Sequence, residues 1–173
     1  AVGLRLSNAA AVYGNACAGG VVGSLEGEGA VLAGAHNSGP VQALAGYDAA
    51  VSPLAGQFFG GVAGYSAGVT LQGCRNTAAP AQENPPQGDF TGGLVGFLCG
   101  GMANCETSAQ AAVYGGRFVG GLAGAVCGGT VADSHSAGAV CGQDLTGGAV
   151  GCTAALSPWF PNNSFFCFTS VFT

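Results

Sequence analysis

The chain has 173 residues, of which only 6% are charged, against roughly 25% in an ordinary soluble domain. Eight acidic side chains, three arginines and no lysine give a net charge of −5, which excludes the basic stripe that nucleic acid requires and a cationic membrane-surface helix. The 34 glycines disfavour helix throughout, at about 1 kcal/mol for each interior glycine, and no apolar run reaches the ~18 residues that would insert in a membrane.

The opening residues, Ala1-Val2-Gly3-Leu4-Arg5, lack the layout of a signal peptide and read as the start of a processed chain. A phrase of the form G-G-[VLA]-[VA]-G then appears five times. It begins at residues 19, 60, 92, 120 and 147, so the intervals are 41, 32, 28 and 27 residues and tighten towards a fixed period. Repetition of this kind signals a solenoid, propeller or array. The apolar pairs inside the phrase, such as Leu94-Val95, Leu122-Ala123 and Ala149-Val150, are bounded by glycines and predict short strands with turns at their ends.

The similarity extends beyond the phrase. Ala11-Val12-Tyr13-Gly14, Ala112-Val113-Tyr114-Gly115 and Ala139-Val140-Cys141-Gly142 each stand at one offset before their glycine pair. After the phrase, Gly96-Phe97-Leu98-Cys99-Gly100-Gly101 matches Gly124-Ala125-Val126-Cys127-Gly128-Gly129. Polar segments follow, Gly73-Cys74-Arg75-Asn76, Asn104-Cys105-Glu106-Thr107 and Asp133-Ser134-His135-Ser136. Residues 42–59 and 78–89 interrupt the period as insertions. This combination of G-G-L-V-G, a second G-G, an N-C segment and A-V-x-G resembles the GLUG repeat of bacterial surface and secreted proteins, over roughly residues 7 to 153. The resemblance implies an extracellular array with no catalytic residues, folded as a right-handed parallel β-solenoid. The expected fold is all-β, with about five to six short coils over residues 1–156 and an aromatic tail over 157–173.

In a solenoid, equivalent letters become vertical neighbours, so each column must be chemically compatible. Asp89, Arg117 and Asp144 lie three residues before successive glycine pairs, a ladder with the cation between two carboxylates. Cys17, Phe58, Phe90, Phe118 and Leu145 lie two residues before the pairs, a column expected to face the core. Cys99 and Cys127 are equivalent one coil apart, as are Cys74 and Cys105. At ~4.8 Å between rungs each pair falls inside the Cα window for a disulfide. Cys152 with Cys167 is the economical third pair. Cys17 and Cys141 are left unpaired, bonded between subunits, or met by a folded-back tail. Cysteines scattered in this way fit a disulfide framework better than a metal site and place the protein outside a reducing cytosol.

The tail holds Phe160, Phe165, Phe166, Phe168 and Phe172, five of the ten phenylalanines, together with Val171. It is either a cap on the last coil or a strand donated to a neighbour. Asn162-Asn163-Ser164 is an acceptor for N-glycosylation at Asn162.

Catalytic signals are weak. His36 and His135 fall about three coils apart, which does not suit a joint metal site. Asp133, Ser134 and His135 are sequence neighbours, whereas a triad converges from separate elements. The carboxylates Glu26, Glu28, Asp48, Glu83, Asp89, Glu106, Asp133 and Asp144 form no evident acid pair. Thr70 with Thr130 and Thr91 with Thr146 align without the repeated Thr-x-Thr of an ice-binding face. The expectation is a non-enzymatic, cofactor-free structural subunit of an extracellular filament or surface appendage that polymerises with copies of itself. The alternative is a monomeric adhesin module that binds glycans or a cell surface.

Overall fold

The computed structural model describes residues 5–44, 56–80 and 88–154. Among them every regular element is a strand, and the strands pair in parallel. Three walls run the length of the molecule, each five strands deep. A polar wall stacks Ser7–Asn8, His36–Asn37, Arg75–Asn76, Glu106–Thr107 and His135–Ser136. A glycine wall stacks Ala18–Gly19, Gln57–Gly60, Asp89–Gly92, Arg117–Gly120 and Asp144–Gly147. A long wall stacks Val22–Ala33, Ala63–Gln72, Val95–Ala103, Ala123–Cys127 with Thr130–Ala132, and Val150–Ala154. A fourth, discontinuous wall pairs Val12–Gly14 with Val41–Ala43, and Val113–Tyr114 with Val140–Cys141. The solenoid thus has five rungs and about four turns, slightly fewer than the five to six coils expected.

The register follows the repeated phrase. Gly19, Gly60, Gly92, Gly120 and Gly147 form one column, and Val22, Ala63, Val95, Ala123 and Val150 another. The second glycine of each pair has a steric reason to be glycine. A Cβ on Gly61, Gly93 or Gly121 would overlap the carbonyl oxygen of Gly93, Gly121 or Gly148 in the rung that follows. Close approach of stacked backbones therefore forbids a side chain there.

The lumen is filled by Val62, Leu94 and Leu122, one from each of three successive phrases, with Leu71, Leu98 and Met102 from the long wall. All six are at most 1% exposed, so the apolar core is a thin, fully buried column, consistent with close packing.

The phenylalanine column departs from expectation. Cys17, Phe58, Phe90, Phe118 and Leu145 all adopt left-handed backbone, with φ of 48°, 67°, 52°, 58° and 49°. Their side chains are therefore turned out of the lumen. Phe58, Phe90 and Phe118 join Tyr65 and Phe97 in a second cluster, with Ala125, Cys127 and Cys152, separate from the core. Phe90 stacks on Phe118 at 4.5 Å and 7° and meets Phe58 at 5.2 Å, while Phe97 stands edge-on to Phe58 and Phe90. The sequence pattern identifies the column and its apolar character. Its outward direction follows from backbone that bulky residues enter only at a cost of roughly 1–2 kcal/mol each.

Candidate functional site

Three features of the solenoid carry chemistry: a cysteine pair under the polar wall, two charge ladders, and the end rungs. The corner before the polar wall is built by Gly34, Gly73, Asn104 and Asp133, with φ of 65°, 61°, 52° and 46°. These residue types tolerate left-handed backbone best. The turn delivers Cys74 and Cys105 to adjacent rungs, in register because Arg75 pairs with Glu106.

Both thiols are 1% exposed and belong to the lumen core. The Cys74 backbone N–H donates to Cys105 Sγ at 3.3 Å. Cys105 Sγ lies 3.2 Å from the Ala103 carbonyl, and its own N–H donates to Ser134 Oγ at 3.0 Å. The hydrogen bond from the Cys74 thiol brings the Cys105 thiol down to about 7. The same bond, helped by burial, drives Cys74 well above its ordinary value.

Cys99 and Cys127 are neighbours one rung apart, since Leu98 pairs with Val126 and the two thiols are hydrogen-bonded. Burial pushes the Cys127 thiol up. All four are free thiols in this structure, as are Cys17 and Cys141. The expected pairs are thus brought together without being bonded. Cys152 is disulfide-bonded. Cys167, its expected partner, lies outside the described residues, as do Asn162, Phe165, Phe166, Phe168, Val171 and Phe172. Cys17 sits on the first rung and Cys141 on the last.

The ladder of Asp89, Arg117 and Asp144 is present. Arg117 pairs in register with Asp144. Its backbone N–H, Nε and Nη2 donate to the Asp89 carboxylate at 2.9, 3.1 and 2.8 Å. A second ladder escaped the sequence reading, although part of its signal was available in Arg75 and Glu106, which follow the aligned Cys74 and Cys105. His36, Arg75, Glu106 and His135 form one column. Arg75 Nε pairs with Glu106 Oε1, and His135 Nε2 lies 3.5 Å from Glu106 Oε2.

The two histidines share this column three rungs apart, about 14 Å at ~4.8 Å per rung. Among the described residues no group of three or more potential ligands converges on a metal position. Ser134 Oγ donates to the Ala132 carbonyl at 2.8 Å rather than serving His135. The aligned threonines are separated by Gly101 and by Val119 in their columns, so no rank of hydroxyls forms.

The end rungs differ from the middle. Each end presents strand edges whose outward side has no neighbour among the described residues. Of the five exposed large hydrophobic residues described, Leu6, Tyr13 and Val31 belong to the first rung and Leu145 to the last. A luminal polar column also runs to both ends. Asn8 Nδ2 donates to Asn37 Oδ1 at 3.0 Å, and Asn37 Nδ2 to Asn76 Oδ1 at 3.1 Å. Asn76 Nδ2 reaches the Gly93 carbonyl at 2.7 Å, and Thr107 Oγ1 the Gly121 carbonyl at 2.9 Å. Ser136, below Thr107, ends the column. No protein-family model, curated protein or solved structure matches the chain.

Proposed function

We propose that the chain is a structural subunit of an extracellular filament or surface appendage, assembling head to tail through its solenoid ends and its C-terminal tail. The observation that carries this reading is that four of the five exposed large hydrophobic residues described lie on the end rungs, three on the first and Leu145 on the last, whose outward strand edges have no neighbour among the described residues. Unpaired strand edges template further pairing, and an end-to-end contact that does not close propagates into a fibre. The sparse charge and absent lysine leave little on those edges to oppose stacking.

The disulfide at Cys152 supports an oxidising environment, in which Cys74 with Cys105 and Cys99 with Cys127 are staples awaiting oxidation. The resemblance to GLUG-repeat surface proteins belongs to the same proposal. Electron microscopy and light scattering over a concentration series test it. Filaments that lengthen with concentration are expected, and deletion of residues 157–173 is expected to leave folded, non-polymerising monomers. A chain that stays monomeric at every concentration and binds a surface glycan overturns this reading in favour of an adhesin module.

A further inference from the structure

From the last rung we infer the atomic register of the subunit contact: residues 147–151 of one copy seat on residues 19–23 of a second copy as though the solenoid simply continued. The inference rests on the filament reading and specifies its interface.

The argument begins at Gly148. In the four preceding rungs the second glycine of the phrase cannot carry a Cβ, because the following rung fills that space. A Cβ on Gly20 would strike the Gly61 carbonyl and Asn37, and one on Gly61 the Gly93 carbonyl and Asn76. Gly93 would meet the Gly121 carbonyl and Thr107, and Gly121 the Gly148 carbonyl and Ser136. Among the described residues a Cβ on Gly148 meets nothing within 4 Å, and Gly148 is not among the glycines with positive φ. The described chain gives this position neither a steric nor a conformational reason to be glycine. A following rung would supply one, and in a continued stack that rung brings the second copy's Gly20 carbonyl and Asn8 beneath Gly148.

The polar column points the same way independently. Ser136 Oγ is buried with no hydrogen-bond partner among the described residues, an arrangement that costs free energy unless a partner arrives. At the opposite end, among the described residues, Asn8 Oδ1 accepts only the Ala10 N–H, at 3.1 Å. Asn37 Oδ1 accepts the Gly39 N–H and also Asn8 Nδ2 from the rung before it, and Asn76 Oδ1 accepts the Ala78 N–H and Asn37 Nδ2. Asn8 thus lacks the donor from a preceding rung that its two equivalents possess, and the last rung holds a buried donor without an acceptor. The remaining columns also meet without conflict: His135 would face Ser7, Leu145 would face Cys17, and Val150 would face Val22. No like charges abut.

The test is the critical concentration for assembly of the full chain, measured by light scattering and microscopy for wild type, Gly148→Ala and Ser136→Asn, with circular dichroism and thermal melts of the monomers. Gly148→Ala is expected to melt as wild type and to raise the critical concentration at least about tenfold, because its methyl overlaps a backbone carbonyl that cannot yield. Ser136→Asn restores the side chain found at 37 and 76 and is expected to lower the critical concentration by about three- to tenfold, the worth of one hydrogen bond. If Gly148→Ala assembles as wild type does, this register is wrong while the filament reading stands on the tail alone. If Gly148→Ala lowers the monomer melting temperature independently of concentration, the chain's own residues 155–173 occupy the space and the second-copy contact is refuted. If wild type never assembles, the functional reading fails with it.

Discussion

Phe90 and Phe97 form a matched pair that isolates the cost of left-handed backbone. Both are 7% exposed, both lie in the aromatic cluster, and their rings are 5.7 Å apart. They differ in backbone: Phe90 has φ of 52°, whereas Phe97 lies within the extended strand Val95–Ala103. Truncation to alanine at either site removes a buried ring and is expected to cost about 3–5 kcal/mol. Truncation to glycine removes the same ring but changes the backbone term differently at the two sites. At Phe97 glycine should be worse than alanine by about 0.5–1 kcal/mol, through the entropy of a freer unfolded chain. At Phe90 the same entropy cost of about 0.5–1 kcal/mol is offset by relief of the positive-φ penalty of about 1–2 kcal/mol, which alanine retains and glycine does not. The unfolded-chain cost cancels between the two sites, so the predicted double difference is about 1–2 kcal/mol, outside the error of urea titrations of the four variants under one redox condition. If the glycine-minus-alanine difference is the same at Phe90 as at Phe97, the column carries no backbone strain and the account of its outward direction fails.

Three further outcomes follow from the same geometry. Gly121→Ala should prevent folding or cost more than about 3 kcal/mol, since its Cβ would overlap the Gly148 carbonyl and Ser136; a variant with wild-type melting would show that the rungs are not close-stacked. Arg117→Ala should cost less than about 1 kcal/mol despite three hydrogen bonds to Asp89, because the Arg117 side chain is 60% exposed and such pairs are screened; a loss beyond about 2 kcal/mol would refute this. In the reduced chain the folded-state thiol of Cys105 titrates at about 7, below the unfolded value of about 8.5. Its contribution to stability is therefore present above the unfolded value and is lost as pH falls through about 7. Urea midpoints of the reduced protein should rise between about pH 7 and 8.5 and the rise should vanish in Cys105→Ser; a flat wild-type profile would contradict the Cys74–Cys105 hydrogen bond as its cause.

Register was legible because the phrase marks one backbone position per rung and a parallel stack converts sequence equivalence directly into contact. The pairing of Val95 with Ala123, the ladder through Arg117 and the adjacency of Cys74 and Cys105 all follow from that rule. Side-chain direction was less legible. Alternation predicts which face a residue takes only while the backbone stays extended, and a single left-handed residue before Phe59, Thr91 or Val119 reverses the count. The polar wall was missed as a charge column because its strands are two residues long, too short to display a period. Whether stacked thiols are bonded depends on the oxidant and leaves no trace in residue spacing.

The intervals between glycine pairs shrink from 41 to 27 residues, yet the pairs remain in one column. Part of the surplus bulges within the long wall, where the register slips between Glu26 and Ala30, and the rest falls between the polar wall and the glycine wall. In the sequence, residues 45–55 and 81–87 precede Gln57–Gly60 and Asp89–Gly92, and the described rungs on either side of them keep their register. The chain between the polar and glycine walls therefore tolerates variation in length that the stacked strands do not. If the proposed polymer forms, a tag inserted there would recur once per five rungs, about every 24 Å at ~4.8 Å per rung.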